Sequence, residues 1–190
     1  QGCHVIVTEV CPIQALKAHL EGFRVMTMDD AAKIGDVYVT ATGMKDVLVK
    51  RHFESMPDGA VVSNTGHYDC EINIEDLEAI AVSKREVRPN NEEYTLADGR
   101  KVYLLAQGRL VNLAAAEGHP SEVMDMSFAN QALALIRLAQ AKGTLSPDVH
   151  DLPREQDLEL ANLKLATVGG GLDALTQEQI DYLDDYSAGT

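Results

Sequence analysis

Between His4 and Gly66, short β-branched runs alternate with single helical stretches, and this alternation restricts the fold more than any other feature of the chain. HVIVTE (His4 to Glu9) reads as a strand, and PIQALKAHLEG follows as a helix with Pro12 at its start and Gly22 at its stop. FRVMTM is the next strand and DDAAKIG a short helix opened by acidic residues. DVYVTATG is a strand, KDVLVKRHFESM a helix, and PDGAVVSNTG a turn feeding a further strand. Strands separated by single helices form βαβ units, so a parallel sheet is expected. After residue 82 the pattern changes. VSKREVRP and EYTLADGRKVYLLA read as strands, the second folded at Asp98-Gly99 into a hairpin that adds an antiparallel piece.

The segment QGRLVNLAAAEGHPSEVMD (107 to 125) is punctuated by Gly108, Gly118 and Pro120, so its backbone is expected to turn on both sides of a short apolar stretch. From Pro120 to Lys142 the chain reads as one helix. Met124, Phe128, Leu135 and Leu138 form a stripe, and Met126, Leu133 and Ile136 extend it, which predicts burial over most of the circumference. GTLSPDVHDLP is a linker by its Gly and Pro content. REQDLELANLKLATVGGG and LTQEQIDYLDDY close the chain as two helices around a glycine stop, with Thr176 and Gln179 at capping-box spacing.

Composition bounds the function. With 45% apolar and 24% charged residues, the 190-residue chain has the make-up of a soluble globular protein. Its 30 acidic and 16 basic residues give a net charge of -14, which repels phosphate backbones and anionic lipid, so neither nucleic acid nor a membrane is an expected partner. No apolar run approaches the ~20 residues that span a bilayer, and the start lacks a basic stretch followed by an apolar core, so a cytoplasmic location is expected. Cys3, Cys11 and Cys70 have no zinc-ligand spacing. No metal site is expected, and each cysteine is expected to be a small buried hydrophobe.

Three stretches carry candidate chemistry. Glu9 ends the first strand, where a dinucleotide-binding sheet places a carboxylate that accepts hydrogen bonds from ribose hydroxyls; a surface or capping glutamate is the plainer reading. SNTGHYDCEI (63 to 72) leaves a parallel strand at its carboxyl end, with Gly66 allowing close backbone approach and His67 able to exchange a proton near neutrality; an ordinary loop is the alternative. Asn112 offers an acceptor and two donors to a planar amide, and His119 stands at a break between Gly118 and Pro120. The phosphate loop G-x-G-x-x-G belongs about 20 residues upstream of a residue like Glu9. It is absent here, since only eight residues precede Glu9. The expected fold is therefore α/β: a Rossmann-type doubly wound parallel sheet without its first strand and glycine-rich loop, followed by C-terminal helices.

In order and spacing, VIVTEVCPIQAL, VTATG, GHYDCEI, LLAQGRLVNLAAAEGHPSEVMDMSFANQ and LTQEQIDYL resemble the second half of the adenosylhomocysteinase (S-adenosylhomocysteine hydrolase) family, over essentially the whole chain. The resemblance implies an enzyme of one-carbon metabolism that holds NAD tightly and oxidises the ribose 3′-hydroxyl of S-adenosylhomocysteine. Homocysteine is then eliminated, water adds, and the hydride returns to give adenosine. It implies that residues 1–118 are the second part of the NAD-binding domain, 119–150 a hinge and a helix returning to the substrate domain, and 151–190 a C-terminal helical segment. Glu9, Gln14, Thr65, Gly66, His67, Asn112 and His119 would bind NAD, with Gln14 standing where asparagine is usual. His67 and His119 would be catalytic-side groups, and together with Met124 and Phe128 would line the substrate. Tyr68 follows His67 where the family often has His-Phe as a gate. The ending DDYSAGT replaces a Lys and Tyr tail that in many members reaches a neighbouring subunit. A homo-oligomer, by resemblance a tetramer, is implied.

Two alternatives stand beside this reading: an inosylhomocysteine hydrolase, and a non-catalytic NAD-binding paralogue. A generic 2-hydroxyacid dehydrogenase domain lies further off. By itself the chain is expected to be catalytically incomplete, because the residues that abstract the 3′-hydroxyl and C4′ protons are implied to lie upstream.

Overall fold

β1 (Ile6–Val7) and β2 (Arg24–Val25) pair in parallel, connected by α1 (Pro12–Leu20), which carries Pro12 in its first turn. The computed structural model describes residues 2–183. Thr27 caps α2 (Met28–Ala31) by accepting the Asp30 amide, and the chain then enters β3 (Val37–Thr40). β3 alternates exposed and buried residues, with Tyr38 and Thr40 facing in. α3 (Lys50–Ser55) leads to β4 (Ala60–Asn64), parallel to β3.

α4 (Ile74–Ile80), capped by Asn73, precedes three strands: β5 (Ala81–Arg88), β6 (Asn91–Leu96) and β7 (Lys101–Leu105). β7 runs parallel to β4 on one side and antiparallel to β6 on the other, giving a five-stranded sheet of order β3-β4-β7-β6-β5. The expected α/β class, parallel in its first part with an antiparallel hairpin appended, is the architecture observed. Among the described residues β1 pairs only with β2, and β3 pairs only with β4, so the two sheets are not joined.

The core lies on the five-stranded sheet, where Leu48, Phe53, Met56, Val62, Leu77, Tyr94, Val102 and Leu104 are fully buried. β2's end is tied in through α2 and α3. The buried His52 ring accepts the Val49 amide on Nδ1 (3.2 Å) and meets the Asp29 carboxylate through Nε2 (2.9 Å). Burial and the neighbouring Arg51 charge push the His52 pKa down.

Four sequence expectations need correction. The helix expected from Lys45 begins only at Lys50, because the amides of Asp46, Val47 and Leu48 donate to the carbonyls of Cys70 and Glu71, which holds that stretch in an irregular, non-helical path with Asp46 at φ 56°. α4 was missed, although Asn73 accepts the Asp76 amide as a cap and acidic residues fill its first turn. None of the cysteines is buried: Cys3 precedes β1, Cys11 stands at the α1 cap, and Cys70 sits on an exposed single turn. The long helix forms as α6 (Ser121–Gln140), but it has no buried residue.

Contacts divide the chain into two compact units, Gln1–Gly118 and His119–Thr190. In the second, α6 packs against α7 (Arg154–Thr167), with a salt bridge between Lys164 and Asp125 (2.7 Å) and a hydrogen bond between Asn130 and Asp157 (2.9 Å). Phe128, Leu135 and Leu138 are each more than half exposed, since α7 covers only part of α6. α8 (Gln177–Tyr182) opens with the expected capping box of Thr176 and Gln179. The contrasting DDYSAGT ending falls in 184–190, outside the described residues. No described helix is long and apolar enough to cross a membrane.

Candidate functional site

The carboxyl ends of β3, β4 and β7 converge on one buried side chain, Asn64, the last residue of β4. Its Oδ1 accepts the Gly66 amide (2.7 Å) and the Thr40 hydroxyl (3.0 Å). Its Nδ2 donates to the carbonyls of Tyr68 (2.8 Å) and Gly108 (2.9 Å). An amide offers two donors and two lone pairs, so Asn64 is fully used. It joins the end of β3, the turn after β4 and the turn after β7.

The turn after β7 is unusual in its own right. Ala106, Gln107 and Gly108 occupy the left-handed region in succession (φ 51°, 56° and 74°). Only glycine does so without steric penalty. The Ala106 amide donates to the Asn90 carbonyl and the Arg109 amide to the Ala106 carbonyl, so hydrogen bonds hold the turn in shape. Beyond it Leu110 bridges in parallel to Asn64, and α5 (Val111–Ala114) carries Asn112, half-buried.

A second buried polar residue braces the turn after β3. Glu71 is fully buried; it accepts the Thr42 amide (2.9 Å), the Thr42 hydroxyl (2.9 Å) and the Gly43 amide (2.7 Å). Burial alone would raise its pKa, but these hydrogen bonds outweigh it and hold the carboxyl below its ordinary value. Gly66 lies against it: a Cβ built there would stand 1.7 Å from Glu71 Oε1.

The sequence-predicted residues fall into three places. Thr65, Gly66 and His67 form the turn braced by Asn64, with Gly66 buried and its neighbours exposed, and the segment leading to Asn112 is tied to the same amide. Glu9 and Gln14 stand apart, in and after the turn that follows β1. Glu9 Oε1 accepts the Val10 (2.7 Å) and Cys11 (2.9 Å) amides, which lower its pKa and keep an anionic acceptor exposed there. Gln14 is exposed on α1. His119, Met124 and Phe128 belong to the second unit: His119 is exposed ahead of α6, Met124 is half-buried and Phe128 exposed on it. Sequence reading missed Asn64, Glu71, Thr40 and Thr42. Among the described residues no cluster of three or more His, Cys, Asp or Glu side chains could hold a metal.

Residues 1–118 match the family described as S-adenosyl-L-homocysteine hydrolase, NAD binding domain. The chain belongs to the S-adenosyl-L-homocysteine hydrolase family. It is 55% identical over 185 residues to an adenosylhomocysteinase of Aeropyrum pernix, covering 97% of this chain and 44% of that protein. It is 54% identical over 189 residues to an adenosylhomocysteinase of Thermococcus kodakarensis, covering all of this chain and 45% of that protein. An S-inosyl-L-homocysteine hydrolase of Methanococcus maripaludis is also 54% identical over 189 residues, with the same coverage. The chain thus spans less than half the length of these relatives. NAD is the cofactor of the matched domain, and the donor set suits it: an anionic acceptor after β1 for a ribose diol, a glycine turn after β4, and an amide at Asn112.

Proposed function

We propose that this chain supplies the cofactor-binding part of an NAD-dependent hydrolase that cleaves S-adenosylhomocysteine to adenosine and homocysteine. The observation that carries the reading is Asn64, whose single buried amide fixes the Thr65–His67 turn relative to the segment leading to Asn112. Ligands of doubly wound sheets bind outside the carboxyl ends of the strands, where these turns lie. When bound, NAD supplies reversible hydride transfer at the ribose 3′-carbon.

The chain's own residues bind and orient. Glu9 uses its carboxylate to accept the adenosine ribose hydroxyls, with the Gln14 amide nearby on α1. Thr65 and Gly66 present backbone to the nicotinamide side, and Asn112 pairs with the carboxamide. His67 and His119 hold or pass a proton beside the substrate, and Met124 and Phe128 face its adenine. A homo-oligomeric enzyme of the cytoplasm, tetrameric as the family resemblance implies, is the setting proposed. Residues 119–150 act as the return to the substrate domain and 151–190 as the C-terminal segment.

A second reading, hydrolysis of S-inosylhomocysteine, is favoured by the equally similar relative from Methanococcus maripaludis. One experiment separates these readings: the full-length protein is given each thioether with NAD or NADP, and homocysteine release and cofactor affinity are followed. Release from S-adenosylhomocysteine and a preference for NAD of at least ~10-fold are expected, because Glu9 repels a 2′-phosphate. Equal affinity for NADP would refute the role of Glu9, and release from the inosine compound alone would select the second reading.

A further inference from the structure

We propose that Glu71 is a positioning residue that sets NAD affinity by holding the Thr42–Gly43 turn in its binding shape; this rests on the proposed function. A buried carboxylate ordinarily needs a cation or a full set of hydrogen bonds. Its closest hydrogen bonds, from the Thr42 amide, the Thr42 hydroxyl and the Gly43 amide, all lie in a single turn, and the Thr40 hydroxyl at the end of β3 adds a smaller one. That turn is itself exposed from Ala41 to Met44. A solvent-facing turn gains little from a buried charge unless its shape matters to something that contacts it.

The backbone of the same residue holds the other end of the loop. The Glu71 carbonyl accepts the Val47 (2.8 Å) and Leu48 (3.0 Å) amides, and the preceding carbonyl of Cys70 accepts the Asp46 amide (2.9 Å). The stretch from Thr42 to Leu48 is therefore strapped at both ends onto residues 70–71. Gly66 leaves the room the carboxylate occupies, so the same group registers the turn after β3 against the turn after β4. Both turns lie at strand carboxyl ends, on the side where a dinucleotide lies. Glu71 is covered by protein and acts through the turn without touching the cofactor.

The test is calorimetric titration of NAD into the cofactor-stripped full-length protein, for the parent, Glu71→Gln, Thr42→Ala and Leu96→Ala. Glu71→Gln keeps the shape but puts an NH2 where an acceptor is needed, and the dissociation constant is expected to rise by about 10-fold or more. Thr42→Ala removes the hydroxyl that donates to Glu71 and accepts the Met44 amide in the same turn, and should raise it about 3-fold, which also serves if Glu71→Gln fails to fold. Leu96 is buried at the opposite end of the sheet, beside the start of β7, so Leu96→Ala should lower the melting temperature and leave the dissociation constant unchanged. Parent-like affinity in Thr42→Ala and in any folded Glu71→Gln overturns the inference while leaving the proposed function standing. Equal weakening by Leu96→Ala also overturns it, since loss of stability alone would then account for the effect. A parent protein that does not bind NAD overturns the proposed function and this inference together.

Discussion

Replacing Gly66 by alanine adds one methyl group at a position whose backbone lies outside the left-handed region, so any penalty comes from space alone. The added Cβ would stand 1.7 Å from Glu71 Oε1, 2.7 Å from Glu71 Cδ and 2.9 Å from Asn64 Oδ1. No rotation of the methyl relieves this. The carboxylate must move away from the Gly43 amide, which it holds at 2.7 Å. Losing one charge-assisted hydrogen bond costs about 1.5–3 kcal/mol, and overpacking adds about 1–3 kcal/mol. Gly66→Ala should therefore destabilise the first unit by about 2.5–6 kcal/mol, a large share of the ~5–15 kcal/mol that holds a domain folded. Glu71→Ala leaves the Thr42 and Gly43 amides to solvent and should cost about 2–4 kcal/mol. Combining the two empties the space the methyl needs, leaving only the Asn64 contact at 2.9 Å. The double variant should accordingly lie at least ~2 kcal/mol above the sum of the singles. Hydrogen exchange at the β3 and β4 amides of the cofactor-free full-length protein reads these values without requiring one all-or-none transition. Additive effects, or a Gly66→Ala variant as stable as the parent, would refute the packing argument.

Gln107 has φ 56° and ψ 36°, so Gln107→Gly should stabilise the protein by about 0.5–1 kcal/mol as the side-chain penalty of that conformation disappears; a lower melting temperature would count against it. His52 is buried with a lowered pKa and faces Asp29 and Arg51. Its contribution is complete above its ordinary value of about 6.5 and declines as pH falls through the lowered native value. The melting temperature should therefore fall as pH is lowered below about 7, and fall less in His52→Gln; a parent curve flat on that acid side would disprove it. His119 is exposed, so His119→Ala should change stability by no more than about 0.5 kcal/mol while lowering turnover of the full-length protein about 100-fold. Full activity per folded molecule would remove His119 from the site.

Local patterning made the strands and most helices legible, because β-branched runs, Pro12, Thr176 and Asp98-Gly99 act on their near neighbours. It misled at 45–49, where an apolar and charged run suits a helix but long-range bonds to the carbonyls of Cys70 and Glu71 keep it from coiling. The apolar stripe of α6 expressed a preference for burial, yet no local signal says what covers it. At the site, Glu9 and the glycine-histidine turn stood out by type and place. Asn64 and Glu71 did not: SNTG and DCEI look like ordinary loop chemistry, and their roles depend on partners far along the chain, such as Gly108 for Asn64 and Thr42 for Glu71. A fully satisfied buried amide leaves no mark on its own sequence neighbourhood.

The saturation of Asn64 bears on how the protein ages. Asparagine side chains hydrolyse to aspartate when the next residue's backbone nitrogen attacks the side-chain carbonyl. In Asn64 that attack would turn the donor facing the Tyr68 and Gly108 carbonyls into an anionic acceptor, setting negative charge against two carbonyl oxygens. The attacking nitrogen belongs to Thr65, and its hydrogen is committed to the Thr40 carbonyl at 2.8 Å. The ladder bond that continues β4 past its last residue thus also withholds the nucleophile, so the amide whose decay would do most harm is chemically sheltered by the strand it terminates.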